Sequence, residues 1–600
     1  MSNLLERGRS HTCNDLTGAD EGKKVVLFGW VDSRRDHGGC VFVDLRDRFG
    51  KTQVVFDPQV EQKAHGLAGD LRNEYCIGIE GVVKSRGGNK NPKLHTGEIE
   101  VHATALDIFN KSEPPPFLIQ DDIDTNEEKR LEFRYLDLRR PQLQKNFIMR
   151  HKAAQIVRRH LDSHGFLEIE TPFLVKYTPG GARNFLVPHR VYPGKFYALA
   201  ESPQLFKQLF MVAGFDRYFQ IVRCFRDEDG RLDRQPEFTQ IDIEMSFPTQ
   251  DRIFEIVEGL VTTVWKECLG VEIKKPFARM EFDESMRRFG NDKPDVRFGM
   301  EHTDLTELVK QHDGGGVPLF ADTVKNPANL IKALVVPASA NLSRTEADKL
   351  EELCKGMGSK GLARAKLDEA GNWTQSPLAK TISEGMRSAI NQATGAKPGD
   401  LLLFQFGRAS LVHTVMANLR LHLGKKLGLI RDKEWAFLWV VNPPLFEYDE
   451  DTKTWAAAHH AFTKPVDADL QHIETDPGKV KCFRYDLVLN GFEIAGGSVR
   501  LHDPIVQGKV FKALGISAEE AQQKFGFLLQ ALKYGAPPHG GIALGFDRLN
   551  MLLTGTDSLR DVVAYPKTQK GVDLMTDAPN EVSAKQLEEL HVRAIIPAKA

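Results

Sequence analysis

Between residues 24 and 110 the chain carries short runs in which apolar and polar positions alternate, separated by Gly, Asp and Asn. A period of two is typical of a strand that buries one face and exposes the other. The runs span residues 25–31, 40–45, 52–56, 75–81 and 97–101. Five short strands with turn residues between them predict a small Greek-key barrel.

Three consecutive prolines at 114–116 interrupt this pattern, because proline cannot donate to a strand ladder or continue a helix. Beyond them, apolar residues recur at helical spacing from Lys145, and the predicted helix ends at Gly165. Residues 166–174 then predict a strand, Phe-Leu-Glu-Ile-Glu-Thr-Pro-Phe-Leu.

A second alternating segment begins at Phe238. Gln240, Asp242 and Glu244 fall on the same face as Phe238, while the opposite face is apolar and belongs in a core. The polar face is either solvated or lines a site. Arg226, at the end of the preceding strand and across a polar loop, favours a site.

The span 291–430 has a different character. It mixes helical pieces at 344–354 and 378–393 with β-like runs at 333–336 and 401–406. We interpret it as a domain inserted into a catalytic domain. The predicted division is a barrel domain, a hinge, a first catalytic segment, the insertion, and a second catalytic segment with a C-terminal extension, at 1–110, 111–143, 144–290, 291–430 and 431–600.

Composition narrows the class of protein. The formal net charge of −2 means that a nucleic-acid partner must be met by local basic patches. The seven cysteines form no C-x-x-C pair, which favours reduced thiols over disulfides or structural zinc. No secretory h-region and no run of about 18 apolar residues occurs, so we expect a cytoplasmic protein without a membrane span.

Several polar residues could bind a small charged ligand. With Pro203 at a helix start, Gln204 and Lys207 share one helical face, and an amide beside an ammonium suits a zwitterion. An exposed amphipathic turn remains the alternative. Farther on, Glu493 and Arg500 flank close-approach glycines: a buried arginine can pair with a ligand carboxylate, and a carboxylate near a triphosphate can hold Mg²⁺.

Two further segments carry candidate chemistry. The pair His459-His460 lacks ligands at zinc spacing, and adjacent residues on a strand would face opposite ways, so one ligand-facing histidine is expected rather than a metal site. In the barrel, the basic loop with Arg35 precedes Phe42 and Gln53. An aromatic platform beside cations and an amide is what unstacked bases require.

Residues 225–242 and 541–548 together resemble motifs 2 and 3 of class II aminoacyl-tRNA synthetases, in which two arginines hold ATP. Along essentially its whole length the chain is similar to bacterial-type aspartyl-tRNA synthetases. The similar segments are 29–31, 134–140, 202–208, 234–240 and 537–541. The resemblance implies a multidomain α/β fold: an OB-fold anticodon barrel, an antiparallel catalytic sheet flanked by helices, and an inserted α/β GAD-like domain.

The resemblance also implies roles by position. Arg226 and Arg548 would be catalytic, with ATP as substrate, and Glu493 would hold Mg²⁺. Aspartate would be bound by Gln204, Lys207, Asp242, His459, Arg500 and the loop at Gly180. ATP would be bound by Arg226, Asp227, Glu228, Gln235, Glu493, Gly545, Phe546, Asp547 and Arg548. The anticodon would be bound by Arg35, His37, Phe42, Gln53, Gly88 and Glu98.

Two departures from the family pattern matter. Gly180 stands where the family usually has glutamate, and Gly230 where an apolar residue is common. His37 and Gly88 resemble the relaxed enzymes that charge both tRNA(Asp) and tRNA(Asn), the latter feeding a partner amidotransferase. The helix from Lys145 resembles motif 1, which implies a homodimer.

Three alternatives stay open: an enzyme strictly specific for tRNA(Asp), a related asparaginyl- or lysyl-tRNA synthetase, and a catalytically inactive paralogue that only binds RNA. Arg500 favours an anionic substrate side chain. The presence of Arg226, Glu493 and Arg548 together argues against loss of catalysis.

Overall fold

A computed structural model describes residues 4–177, 183–228, 230, 233–449 and 452–595. The chain forms two compact units. The first comprises Met1–His151, Asp229–Gln235 and Thr554–Val582, and the second Lys152–Glu228, Pro236–Leu553 and Ser583–Ala600. A segment near the C-terminus, Thr554–Val582, thus belongs with the N-terminal unit.

The N-terminal residues build the predicted barrel and the short helices that follow it. The elements are α1 (Leu4–Arg7), β1 (Lys24–His37), β2 (Cys40–Arg46), β3 (Lys51–Phe56), α2 (Gln62–Ala68), β4 (Cys76–Ser85), β5 (Ile99–Asn110), α3 (Glu127–Glu132) and α4 (Arg134–Asp137). The strands close in the order β1-β2-β3-β5-β4. Alternate residues such as Val41, Val43 and Leu45 are buried inside the barrel, as the period of two requires.

The following elements lead into the catalytic sheet. They are α5 (Pro141–Ser163), β6 (Leu167–Glu168), β7 (Leu174–Val175), β8 (Leu186–Pro188), β9 (Phe196–Leu199), α6 (Gln204–Val212), β10 (Arg217–Phe225), β11 (Glu237–Ser246), α7 (Gln250–Leu269), β12 (Ala278–Glu281) and α8 (Phe282–Phe289). The single strand predicted for 166–174 is wrong. Within this segment only Leu167–Glu168 and Leu174 belong to strands. Pro172, which cannot donate a backbone hydrogen bond to a ladder, lies between them.

The inserted region forms its own sheet. Its elements are β13 (His302–Asp304), α9 (Thr306–Gln311), α10 (Pro318–Val324), β14 (Asn329–Val336), α11 (Arg344–Gly356), β15 (Ala363–Leu367), β16 (Trp373–Thr374), α12 (Glu384–Thr394), β17 (Leu401–Arg408) and α13 (Ala409–Lys426). Strand order is β13-β14-β17-β15-β16. The helix predicted for 378–393 begins later, because the Ser383 side chain accepts from Met386 N and caps it there.

The chain then returns to the catalytic sheet. The elements are β18 (Phe437–Val441), β19 (Phe446–Asp449), β20 (Thr454–Ala457), β21 (Arg484–Leu489), β22 (Phe492–Val499), α14 (Pro504–Ala513), α15 (Ala518–Leu532), β23 (His539–Gly545), α16 (Phe546–Thr554) and α17 (Ala584–Glu589). The sheet has eight strands in the order β12-β18-β21-β22-β23-β11-β10-β6. Its central strands pair antiparallel, and the predicted multidomain α/β fold class is confirmed.

Arg420 connects α13, the last helix of the inserted region, to residues 295–300, which precede β13. Its side chain is 3% exposed, and its guanidinium lies 3.9 Å from the Phe298 ring centroid. Its nitrogens donate to the carbonyl oxygens of Asp295, Phe298, Gly299 and Met300 at 2.6–3.2 Å. Burial lowers the pKa of Arg420 to about 10, so the group stays charged at neutral pH.

Arg420→Met should therefore destabilise the inserted region by about 3 kcal/mol, because several buried carbonyls lose their donor. Thermal unfolding should show a lowered transition, and limited proteolysis should show faster cleavage near residues 295–300. Arg344→Met, at an exposed position of α11, is the matched control and should leave both unchanged. Equal stability of the two variants would contradict this role for Arg420.

Candidate functional site

Glycines on β22 and β23 leave room for groups of the neighbouring strands in the catalytic sheet. In β23, a Cβ on Gly541 would lie 2.1 Å from Glu244 Oε2 and 2.0 Å from Ile243 O. In β22, a Cβ on Gly497 would lie 2.2 Å from Gly541 O. Only glycine avoids these overlaps, so the glycine spacing noted in the sequence makes room for the polar face of β11.

Helix α6 brings Lys207 to that polar face. Lys207 is 1% exposed; its Nζ donates to Asp242 and lies 3.3 Å from Glu244 Oε2. Burial raises the pKa of the Asp242 carboxyl, and Lys207 opposes that rise. Burial acts in the same direction on Glu244, but Arg500 and Lys207 outweigh it and lower its pKa. The ammonium is thus shared between two buried carboxylates.

Arg500 lies on the other side of Glu244. Its Nε and Nη2 both donate to the Glu244 carboxylate at 3.0 Å, a bidentate pair between two buried side chains. Its Nη1 lies 2.9 Å from His460 Nε2 and 2.7 Å from Ser498 Oγ. Because Arg500 can only donate, His460 accepts and is neutral. Desolvation lowers the pKa of His460 well below the ordinary value.

The histidine pair differs from the prediction. His459 and His460 lie beyond the end of β20, and their ring centroids are 4.4 Å apart, so they do not face opposite ways. The strand argument failed because the strand ends at Ala457. Sequence reasoning singled out His459, whereas His460 is the histidine bonded to Arg500. It also gave Glu244 no role, although the alternation had put it on the polar face.

Arg226 follows the last residue of β10, and its backbone N donates to Pro236 O at 2.8 Å. Its guanidinium carbon lies 5.0 Å from the Phe238 ring centroid. Its Nε is buried and makes no hydrogen bond to any residue that the structure describes. A buried donor of this kind, held against an aromatic face, is suited to a phosphate oxygen.

The motif 3 residues Gly545–Arg548 end β23 and open α16. Gly545 pairs with Gln240 of β11, which puts this turn beside the polar strand. The Asp547 carboxylate accepts from Thr239 N at 2.8 Å, and Arg548 donates to Glu493 O on β22. These two hydrogen bonds connect the turn to both strands next to β23, namely β11 and β22.

The remaining motif 2 residues separate into two groups. Asp227 N donates to Arg183 O at 2.9 Å, and Glu228 N donates to Arg226 O at 3.0 Å. Gln235 belongs to the other compact unit, where its amide pairs with both backbone groups of Lys567 at 2.9 and 3.1 Å. Gly180 lies outside the described residues.

Glu493 has a neighbour that the sequence did not indicate. A Cβ on Gly496 would lie 2.8 Å from Asp486 Oδ1 and 3.1 Å from Glu493 Oε1, so both carboxylates border the space above this glycine. Asp486 is buried and pairs with Arg484 at 2.9 Å. Burial raises the pKa of Asp486 to about 8, with Arg484 opposing and Glu493 adding to the rise.

The barrel carries a polar network on β3 and β5. Arg35 Nη2 donates to Gln53 Oε1 at 3.3 Å, and Gln53 Nε2 donates to Glu100 at 2.9 Å. Phe42 is half-exposed on β2, whose neighbour is β3. Glu98, predicted as an anticodon-binding residue, accepts a hydrogen bond from Lys90 at 2.6 Å, and its role stays a prediction. Glu100 is the carboxylate in the network, and sequence reasoning missed it.

His37 and Gly88 lie at or within the connections between barrel strands. His37 is the last residue of β1, and Gly88 lies between β4 and β5. Both remain predictions as anticodon-binding positions.

Comparison with known protein families gives two matches. Residues 126–569 match the model for tRNA synthetases class II (D, K and N), and residues 25–109 match the OB-fold nucleic acid binding domain. Among the described residues no helix is long and apolar enough to cross a bilayer.

Curated relatives match along the whole chain. A protein from Anaeromyxobacter sp. (strain K), named Aspartate--tRNA(Asp/Asn) ligase, is 69% identical over 595 residues, 98% of each chain. One with the same name from Syntrophotalea carbinolica is 52% identical over 589 residues, again 98% of each. Among solved structures, asparaginyl-tRNA synthetase from Pyrococcus horikoshii covers 93% of this chain and 98% of its own, with TM-score 0.57 and 18% identity, a likeness of fold alone.

Proposed function

Because the chain belongs to the tRNA synthetases class II (D, K and N), we propose that it attaches L-aspartate to both tRNA(Asp) and tRNA(Asn), with ATP as substrate. The single observation that carries the choice of amino acid is the buried Arg500, held by Glu244 at 3.0 Å beside Lys207. A guanidinium only donates hydrogen bonds, so it suits the two acceptor oxygens of an anionic side chain, whereas the NH₂ group of a neutral amide would place a donor against a donor.

The proposed reaction has two steps. The aspartate α-carboxylate attacks the α-phosphorus of ATP, a bond to the leaving pyrophosphate breaks, and aspartyl-adenylate forms. The terminal ribose hydroxyl of tRNA then attacks the mixed anhydride and releases AMP. No side-chain nucleophile is required, so Arg226 and Arg548 act by positioning phosphates and by compensating their charge. Gln204, Lys207, Asp242 and His459 complete the proposed amino-acid site.

Charging of purified tRNA(Asp) and tRNA(Asn) with labelled aspartate, side by side, tests the proposal. Comparable charging of both supports the relaxed enzyme, and the aspartylated tRNA(Asn) would then require an amidotransferase partner to convert it. Charging of tRNA(Asp) alone would retain the enzyme class but overturn the roles of His37 and Gly88. No charging with aspartate would overturn the proposal itself.

Glu493 is proposed to hold Mg²⁺ together with Asp486. The fit is chemical, since hard carboxylate oxygens suit Mg²⁺ and a divalent cation would offset the raised pKa of Asp486. Among the described residues no group of three or more metal-binding side chains converges, so further ligands would come from nucleotide phosphates. When bound, the cation would neutralise phosphate charge.

Glu493→Gln should therefore raise the Mg²⁺ concentration needed for half-maximal pyrophosphate exchange by about tenfold, the usual loss when a metal site loses one supporting group. The measurement is a Mg²⁺ titration of exchange at saturating ATP and aspartate. Glu447→Gln, on β19 and exposed, is the control. An unchanged Mg²⁺ requirement in Glu493→Gln would contradict the assignment.

A homodimer is also proposed. Around β6–β9 several large apolar side chains are 43–54% exposed, namely Leu167, Phe173, Leu174, Leu186 and Phe196. Exposed large apolar side chains on neighbouring segments of the chain favour burial against a second copy. Light scattering at micromolar concentration should give twice the mass of one chain, and a monomer would overturn the proposal. We further propose the five-segment domain division, a GAD-like nature for the inserted region and a cytoplasmic location for the protein.

A further inference from the structure

Gln204 is the first member of a chain of hydrogen bonds that continues through Gln208 and His539. Neither Gln208 nor His539 has a role in the reaction described above. Gln204 Nε2 donates to Gln208 Oε1 at 3.1 Å. Gln208 Nε2 lies 2.9 Å from His539 Nε2, and His539 Nδ1 lies 2.8 Å from Pro537 O. Both Gln208 and His539 are 0% exposed. The chain runs from the proposed amino-acid site to a backbone carbonyl.

The carbonyl at the end determines the direction of every bond in the chain. Pro537 O can only accept, so His539 Nδ1 must carry a proton. A neutral imidazole then accepts at Nε2, which obliges Gln208 to donate through Nε2 and leaves its Oε1 as acceptor. Gln204 must in turn donate through Nε2. The orientations of both amides therefore follow from one fixed acceptor.

The neutral state of His539 has its own support. The residue begins β23, opposite Ser246 of β11, and is enclosed by the sheet. Burial is the largest influence on its pKa and lowers it; Glu244 and the hydrogen bond to Pro537 act to raise the pKa, Arg500 and His502 act to lower it, and the net shift is downward. A charged His539 would donate at both nitrogens and reverse the two amides.

We propose that Gln208 and His539 are positioning residues that hold the Gln204 amide with its carbonyl oxygen toward the amino-acid site. In that orientation Gln204 presents an acceptor, which recognises the α-ammonium of the substrate and repels a carboxylate oxygen. This inference rests on the proposed aspartate site. Through these hydrogen bonds the buried end of β23 determines which end of the amino acid Gln204 can bind.

The test uses three full-length proteins: the wild type, Gln208→Met and Gln208→Glu. Methionine preserves volume but offers Gln204 no comparable acceptor. Glutamate preserves one: protonated, it donates to His539 and accepts from Gln204, and ionised, it still accepts from Gln204. The readouts are kcat and the KM for aspartate in pyrophosphate exchange, and inhibition by succinate, which is a dicarboxylate without the ammonium group.

Gln208→Met should raise the KM for aspartate about tenfold, as expected for one hydrogen bond to a charged group, with kcat, the KM for ATP and the inhibition constant of succinate changed less than about threefold. Gln208→Glu should recover most of the loss. If Gln208→Met weakened the binding of aspartate and of succinate equally, the role of Gln208 would be merely structural and the proposal would be overturned. An unchanged KM for aspartate in Gln208→Met, or a KM in Gln208→Glu as high as in Gln208→Met, would also overturn it. A wild type without aspartate-dependent exchange would instead overturn the proposed function.

Discussion

Arg226→Met is expected to reduce aspartate-dependent pyrophosphate exchange about 10³-fold, because one preorganised donor to a charge-rich transition state is worth about 10²–10³ in rate. Arg226 directly follows β10, and its guanidinium carbon lies 5.0 Å from the Phe238 ring centroid, so under the proposed function it would bind a phosphate from a preorganised position. Methionine fills similar space without charge. The effect should fall mainly on kcat, since the charge compensated develops in the transition state.

The matched control is Arg223→Met on the same strand. Arg223 pairs with Glu237 at 3.5 Å, and both side chains are about one-third exposed, so a surface pair of little energetic worth is lost. Exchange by this variant should stay within about threefold of wild type. Near-normal exchange by Arg226→Met, with the control also normal, would exclude Arg226 from the reaction.

Arg500→Leu is expected to abolish detectable aspartate activation, a loss of at least about 10³-fold, while leaving ATP binding intact. The change removes the cation proposed for the substrate side chain and leaves the buried Glu244 without its bidentate partner. Breaking a buried pair on one side costs about 3–5 kcal/mol. ATP affinity, measured by calorimetry, separates loss of aspartate recognition from loss of the fold.

A second variant guards against a local folding defect. In Arg500→Leu with Glu244→Leu, both charges are removed together, so thermal stability should recover relative to the single variant. Aspartate activation should not recover, because the cation proposed to face the substrate is still missing. Arg279→Met, on exposed β12, is the surface control. Activation restored by the double change would show that Arg500 serves the fold rather than the substrate.

Several features could be predicted because they depend on near neighbours in the chain. Alternation revealed the barrel strands and the polar face of β11, since residues two apart share a face of any strand. The position of Lys207 three residues after Gln204 placed both on one helical face, and both contribute to the buried network around α6. The bounds of helices and strands were predicted less reliably where a helix cap or a proline determined them, as at Ser383 and Pro172.

The sequence by itself determined which residue types lie on which face of each element, because periodicity and steric preference act over a few residues. Only the tertiary structure decided the partners: Glu244 for Arg500, 256 residues apart, His539 for Gln208, 331 apart, and Glu100 for Gln53, 47 apart. Those pairings depend on strand register and on where helices pack. A one-residue slip would turn each side chain to the other face, and no local preference specifies that choice.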